Sequence, residues 1–152
     1  MNNELDFLKT LFSGTDQPVD VFPFLVQLII TVILSLLIGY FYIRYGNSLS
    51  NRKALSRVFV LVSLTTMIII TIVKGSLALS LGLVGALSIV RFRTAIKEPE
   101  ELAYFFMVIA IGLGVGAGQV LVTVIGTLFL SVIIVLINRP VSYTHLTLPT
   151  KA

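Results

Sequence analysis

Five stretches of this chain are almost unbroken hydrocarbon: residues 21–43, 58–73, 76–90, 102–117 and 120–137. What separates them is short and polar, with tight breaks at Lys74-Gly75 and Gly118-Gln119. A helix needs about 20 apolar residues to cross about 30 Å of lipid. The pattern therefore predicts an all-α integral membrane protein with five transmembrane helices. The third run is the shortest, and its fifteen residues rise only about 22 Å. It reaches further if Phe92, Ala95 and Ile96 continue the apolar surface while Arg91 and Arg93 extend toward the head groups. The alternative is a re-entrant or broken helix, which leaves four crossings and puts both chain ends on one side. Ahead of the first run, Leu5, Leu8 and Phe12 stand at helical spacing in residues 1–20. They predict a short amphipathic helix on the membrane surface, ended at Ser13-Gly14.

Composition agrees with lipid as the main solvent. The chain is 57% hydrophobic and 12% charged, with a mean hydropathy of +1.03. A soluble domain carries about 25% charged residues. The acidic start, with Glu4, Asp6, Asp16 and Asp20 against Lys9, does not read as a cleavable signal. Basic residues are retained on the cytoplasmic side. Arg44, Arg52, Lys53 and Arg57 follow the first run, and Arg91, Arg93 and Lys97 follow the third. Both loops belong in the cytoplasm, so the N-terminus is expected outside and the C-terminus inside. The net charge of +4 reflects these loops, and nucleic acid is not expected as a partner.

The loop from Arg91 to Glu101 concentrates three bases and three acids. Pro99 suits the first turn of a helix, and the acids Glu98, Glu100 and Glu101 beside it favour the positive end of the helix dipole. Retention on the inner face accounts for Arg91, Arg93 and Lys97. The sharper reading is an anion or partner-binding elbow, with the two arginines offering bidentate forks to a phosphate.

Gly112, Gly114, Gly116 and Gly118 form two overlapping GxxxG spacings on the fourth run. Such spacings let helix backbones approach closely in lipid. Ala78, Gly82, Gly85 and Ala86 on the third run offer a matching surface. These two helices are expected to pack together, within one subunit or across a dimer, so a homo-oligomer or a membrane partner is expected besides the bilayer itself. No acid lies in a predicted span, which weighs against a cation-coupled carrier. The hydroxyls within the runs are expected to bond to their own helices. There is no cysteine, and no nucleophile and base pair or metal cluster stands out, so catalytic residues, metal ligands and cofactors are assigned to none.

The last residues, "VSYTHLTLPTKA", change character after Arg139-Pro140. From Val141 to Thr150 they resemble the in-frame translation of a transposase mosaic-end sequencing adapter. Residues 140–152 are accordingly expected to be foreign, with a native cytoplasmic part missing, and His145 is assigned no role.

The central stretch "LALSLGLVGALSIVRFRTAIKEPEELAYFFMVIAIGLGVGAGQ", residues 77–119, resembles the bacterial membrane family catalogued as domain of unknown function 4956. More distantly it is similar to the MgtC/SapB membrane proteins, which place a glycine-rich helix, a basic elbow and a second glycine-rich helix in the same order. The resemblance implies a five-helix module of the bacterial inner membrane, followed in full-length members by a soluble cytoplasmic domain. It also implies an association with polyphosphate-polymerase-like proteins, whose genes tend to lie nearby. It implies no activity. The function expected is a non-catalytic anchor or regulatory module that uses the elbow as a docking or anion-sensing surface. The alternative is an anion transporter or channel with its pore between the two glycine-rich helices.

Overall fold

The computed structural model describes residues 2–12, 18–46, 51–89 and 99–138, of which 90% are helical, with no strand among them. The helices are α1 (Asn2–Phe12), α2 (Val21–Tyr45), α3 (Arg52–Val73), α4 (Leu77–Ile89), α5 (Pro99–Gly116) and α6 (Val120–Ile137). Of these, α2, α3, α5 and α6 are long and apolar enough to cross a membrane. With thirteen residues, α4 rises about 20 Å. The described residues thus hold four helices of spanning length rather than the five expected.

Helix α3 begins six residues before its apolar run. Leu55 and Phe59, four residues apart, share a face, so extending the helix backward adds Leu55 to the contacts around the core. The Arg52 guanidinium donates to the Ile43 carbonyl at 3.3 Å, placing a cation on one of the orphan carbonyls at the C-terminus of α2.

A four-residue repeat organises the interior. On α3 the buried positions are Phe59, Ser63, Met67 and Thr71. On α5 they include Tyr104, Val108, Gly112 and Gly116. Helix α2 buries Thr31, Leu34, Ser35, Ile38, Gly39 and Tyr42. Residues four apart lie nearly one above the other, so each helix presents one narrow stripe. The buried hydroxyls satisfy themselves on their own helices. Thr31 donates to the Gln27 carbonyl at 2.8 Å, Ser63 to Val60 at 3.0 Å, Thr71 to Met67 at 2.8 Å and Ser131 to Thr127 at 2.8 Å. Their small side chains leave room for a neighbouring backbone at no hydrogen-bonding cost.

The contacts fix the directions. Gly39 of α2 faces Ser56 of α3, and the start of α2 meets Thr71 and Lys74, so these helices are antiparallel. Phe59 meets Tyr104 and Phe105, while further along Gly112 meets Ser63 and Met67 and Gly116 meets Ile70. Numbers rise together, and α3 and α5 are parallel. Gly114 meets Thr123, so α6 returns antiparallel to α5. One end of the bundle therefore carries Tyr45, Arg52, Pro99 and Asn138, and the opposite end carries Asp20, Lys74 and Gln119. Among the described residues, α5 touches α2, α3 and α6, whereas α4 touches only α1 and α3.

The glycine contact makes a quantitative expectation. A Cβ on Gly112 would lie 2.5 Å from the Ser63 carbonyl oxygen, and one on Gly126 would meet nothing within 4 Å. Gly112→Ala is expected to destabilise the bundle by about 1–3 kcal/mol, and Gly126→Ala to stay within about 0.5 kcal/mol. Reversible denaturation in mixed micelles measures both, and equal effects would contradict the close approach of α3 and α5.

Candidate functional site

The end of the bundle that bears Arg44, Arg52, Lys53 and Arg57 is sealed by aromatic rings. Tyr42 sits edge-on to Phe59, with centroids 5.2 Å apart, and to Tyr104 at 5.0 Å. Phe59 stacks on Tyr104 at 6.3 Å and meets Phe105 edge-on at 5.2 Å. One ring comes from α2, one from α3 and two from α5, so this knot fastens three helices at a single level. Each such pair adds about 0.5–1.5 kcal/mol beyond the area it buries. The residues escaped the sequence reading because they lie inside apolar runs. Their signal was position: large rings one or two turns inside a basic loop.

Above the knot, the Tyr42 hydroxyl donates to Glu101 Oε1 at 3.4 Å. Glu100 and Glu101 occupy the first turn of α5, behind Pro99. Glu101 is thereby half-buried against α2, where it can orient the start of α5 as well as complement its dipole. Arg91, Arg93, Lys97 and Glu98 lie outside the described residues. Their chain joins α5 at Pro99, at this same basic end.

Between α2 and α3 a groove of about 550 Å³ opens near this end, floored by Leu36, Gly39, Val60 and Leu61 with Ser56 and Arg57 at its edge. The chemistry offered here is positive charge, hydroxyl hydrogen bonding and apolar surface.

The glycine assignments divide. Gly112 and Gly116 are buried against the α3 backbone and Ile70, and Gly114, half-buried, packs against Thr123 of α6. None of them meets α4. Ala78 is half-buried, Gly82, Gly85 and Ala86 are exposed, and Gly82 and Gly85 have nothing within 4 Å of where a Cβ would stand. The expected pairing of the two glycine-rich helices is thus absent within one chain. The reason is the parallel course of α3 and α5: the stripe Ser63, Thr66, Met67 already fills the face that Gly112 and Gly116 open.

Gly118 has another task. It ends α5 at φ +88°; its N–H bonds the Val115 carbonyl at 3.0 Å, and the Gln119 N–H bonds the Gly114 carbonyl at 2.9 Å. That is a Schellman cap, which needs a left-handed residue. Gly118→Ala is expected to cost about 1–2 kcal/mol, although nothing crowds the position. Phe59→Ala, which opens the aromatic knot, should cost about 3–5 kcal/mol. Chemical denaturation in micelles distinguishes them, and a Phe59→Ala variant as stable as the parent would remove the knot from the account.

The sequence profile of the family described as domain of unknown function (DUF4956) matches residues 29–147, from the third turn of α2 past the end of α6. Nothing among curated proteins or solved structures matches the chain. With more than half of its length covered, and with most of α2, all of α3 to α6, the glycine contacts and the basic end inside the matched region, the chain belongs to the DUF4956 family.

Proposed function

We propose that this chain is a non-catalytic module of the bacterial inner membrane that crosses five times and anchors or regulates a partner at its basic end. The observation that carries the reading is the parallel course of α3 and α5. Helix α3 finishes at the end that bears Lys74 and α5 starts at the basic end, which supports a return across the bundle between these two helices. Helix α4 supplies about 20 Å of that return, which supports a fifth crossing. Basic residues gather at the end that holds Arg44, Arg52, Lys53 and Arg57, which supports a cytoplasmic placement of that end.

The core argues for an anchor over a conduit. Tyr42, Phe59, Met67, Val108 and Val115 are fully buried where α2, α3 and α5 meet, and the buried Thr31, Ser35, Ser63, Thr71 and Ser131 hydroxyls donate to carbonyls of their own helices. Among the described residues α4 and α5 do not touch, which supports an anchor over a pore between these two helices. The exposed apolar surface of α4 suits lipid or another membrane helix. The elbow residues Arg91, Arg93 and Lys97 serve in this reading as the docking or anion-sensing surface. A phosphate-rich ligand fits their charge, and the family resemblance suggests a polyphosphate-polymerase-like protein as the partner.

Tripolyphosphate binding to the reconstituted chain tests the proposal. Joint replacement Arg91→Glu, Arg93→Glu and Lys97→Glu is expected to weaken it by more than about tenfold, and vesicles holding the parent chain are expected to pass neither phosphate nor tripolyphosphate. Binding indifferent to the three replacements, or a flux that depends on the arginines, would overturn the reading in favour of no anion site or of a transporter.

A further inference from the structure

At the end of the bundle away from the aromatic knot, the start of α2 and the end of α3 flank an open pocket of about 710 Å³, with Asp20 and Lys74 exposed at its mouth. Its walls include Asp20, Phe24, Gln27, Thr71, Ile72 and Lys74. A concave, mainly apolar space with a few convergent polar groups is the usual form of a small-ligand site. Three features of this one point to the ligand.

Asp20 precedes α2 as its N-cap but makes no capping hydrogen bond from its side chain. An N-cap carboxylate ordinarily accepts from the second or third helical N–H. The third residue here is Pro23, which has no N–H. The Phe22 N–H remains but is not used, so among the described residues the Asp20 carboxylate has no capping donor. Lys74 stands across the cavity at the C-terminus of α3, and the two opposite charges form no ion pair with each other or with any described residue. Both line the same pocket.

Deeper in, the Gln27 side-chain amide has no partner among the described residues, whereas the neighbouring Thr71 hydroxyl already donates to Met67. Gln27 is seven residues past Asp20, about 10 Å along the helix. Head-group layers are about 5–7 Å thick on each side of the hydrocarbon. The charges thus lie at head-group level and the amide near the level of the lipid esters.

We propose that this cavity binds a zwitterion with a phosphate and a primary ammonium, the head-group chemistry of an ethanolamine phospholipid. Lys74 takes the phosphate and Asp20 the ammonium. The Gln27 amide donates to an ester carbonyl, and an acyl chain leaves along Phe24 and Ile72. One acid and one base line the cavity, so a simple anion would meet the Asp20 carboxylate and a simple cation would meet the Lys74 ammonium. A zwitterion satisfies both. A choline head group carries no N–H to give Asp20, and a glycerol head group carries no cation.

Native mass spectrometry of the full chain in detergent tests the assignment, with ethanolamine, choline and glycerol phospholipids of identical acyl chains added in equal amounts. The ethanolamine lipid is expected to be retained in preference to the other two by about tenfold, a discrimination of the size that one charge-assisted hydrogen bond supplies. Asp20→Asn should abolish that preference while sparing glycerol-lipid binding, and Lys74→Gln should weaken both lipids. Ile72→Trp, which keeps the charges and narrows the cavity, serves where a charge variant fails to fold and should reduce ethanolamine-lipid occupancy by a similar factor. Free phosphoethanolamine added at the same concentration separates the sources: displacement of the lipid assigns the site to a soluble zwitterion, and no displacement assigns it to the lipid. Equal retention of ethanolamine and choline lipids, or a preference unaltered by Asp20→Asn and Ile72→Trp, would overturn the proposal.

Discussion

The bundle rests on a close approach of two backbones. Gly112 and Gly116 set α5 directly on α3, where the carbonyls of Ser63 and Met67 occupy the space that side chains would take. Lipid tails are as apolar as the helices, so burying hydrocarbon gives helices no reason to meet in a bilayer. What remains is dispersion, which falls away within fractions of an ångström, and close approach is how these helices gain it. The small stripe Ser63, Thr66 and the two glycines are the means. Their hydroxyls are already bonded within α3, so the contact leaves no polar group stranded.

Direction follows from that contact. Because α5 lies on α3 in parallel, with the aromatic knot at one end and Gly116 on Ile70 at the other, the chain between them has to travel back. The two ends of the bundle then acquire different characters. One is closed by rings, capped by Arg52 on the last turn of α2 and joined to the charged elbow. The other is open between the start of α2 and the end of α3 and holds a mixed-charge cavity. The anchoring proposed for the first end and the ligand binding proposed for the second are compatible in one small bundle because the packed middle separates them.

Much of the helical layout was legible in the sequence, since apolar runs of this length leave the backbone little alternative to a helix. The glycines on α5 were legible as a close-packing surface, but a one-dimensional spacing names the face and not its partner. Ala78, Gly82, Gly85 and Ala86 looked complementary, whereas the helix that receives Gly112 presents serine, threonine and methionine. The four-residue repeat Phe59, Ser63, Met67, Thr71 was present in the sequence and matches the repeat Tyr104, Val108, Gly112, Gly116. Gly118 was misplaced for a related reason: its spacing from Gly114 is that of a packing motif, and its backbone is that of a helix stop. The cavity was out of reach because Asp20, Gln27 and Lys74 become neighbours only when two helices fold back on each other. The elbow bases Arg91, Arg93 and Lys97 lie outside the described residues, so their reading rests on charge and spacing alone.

The parallel course of α3 and α5 is the claim on which topology and function both depend, and labelling from either side of a sealed membrane reads it directly. The chain has no cysteine, so Lys74→Cys and Gln119→Cys each supply a single thiol at a turn. With a return crossing through residues 74–98, a membrane-impermeant maleimide applied from one side labels both thiols or neither. If Lys74→Cys and Gln119→Cys react from opposite sides, the chain does not recross between α3 and α5, and the parallel bundle is wrong.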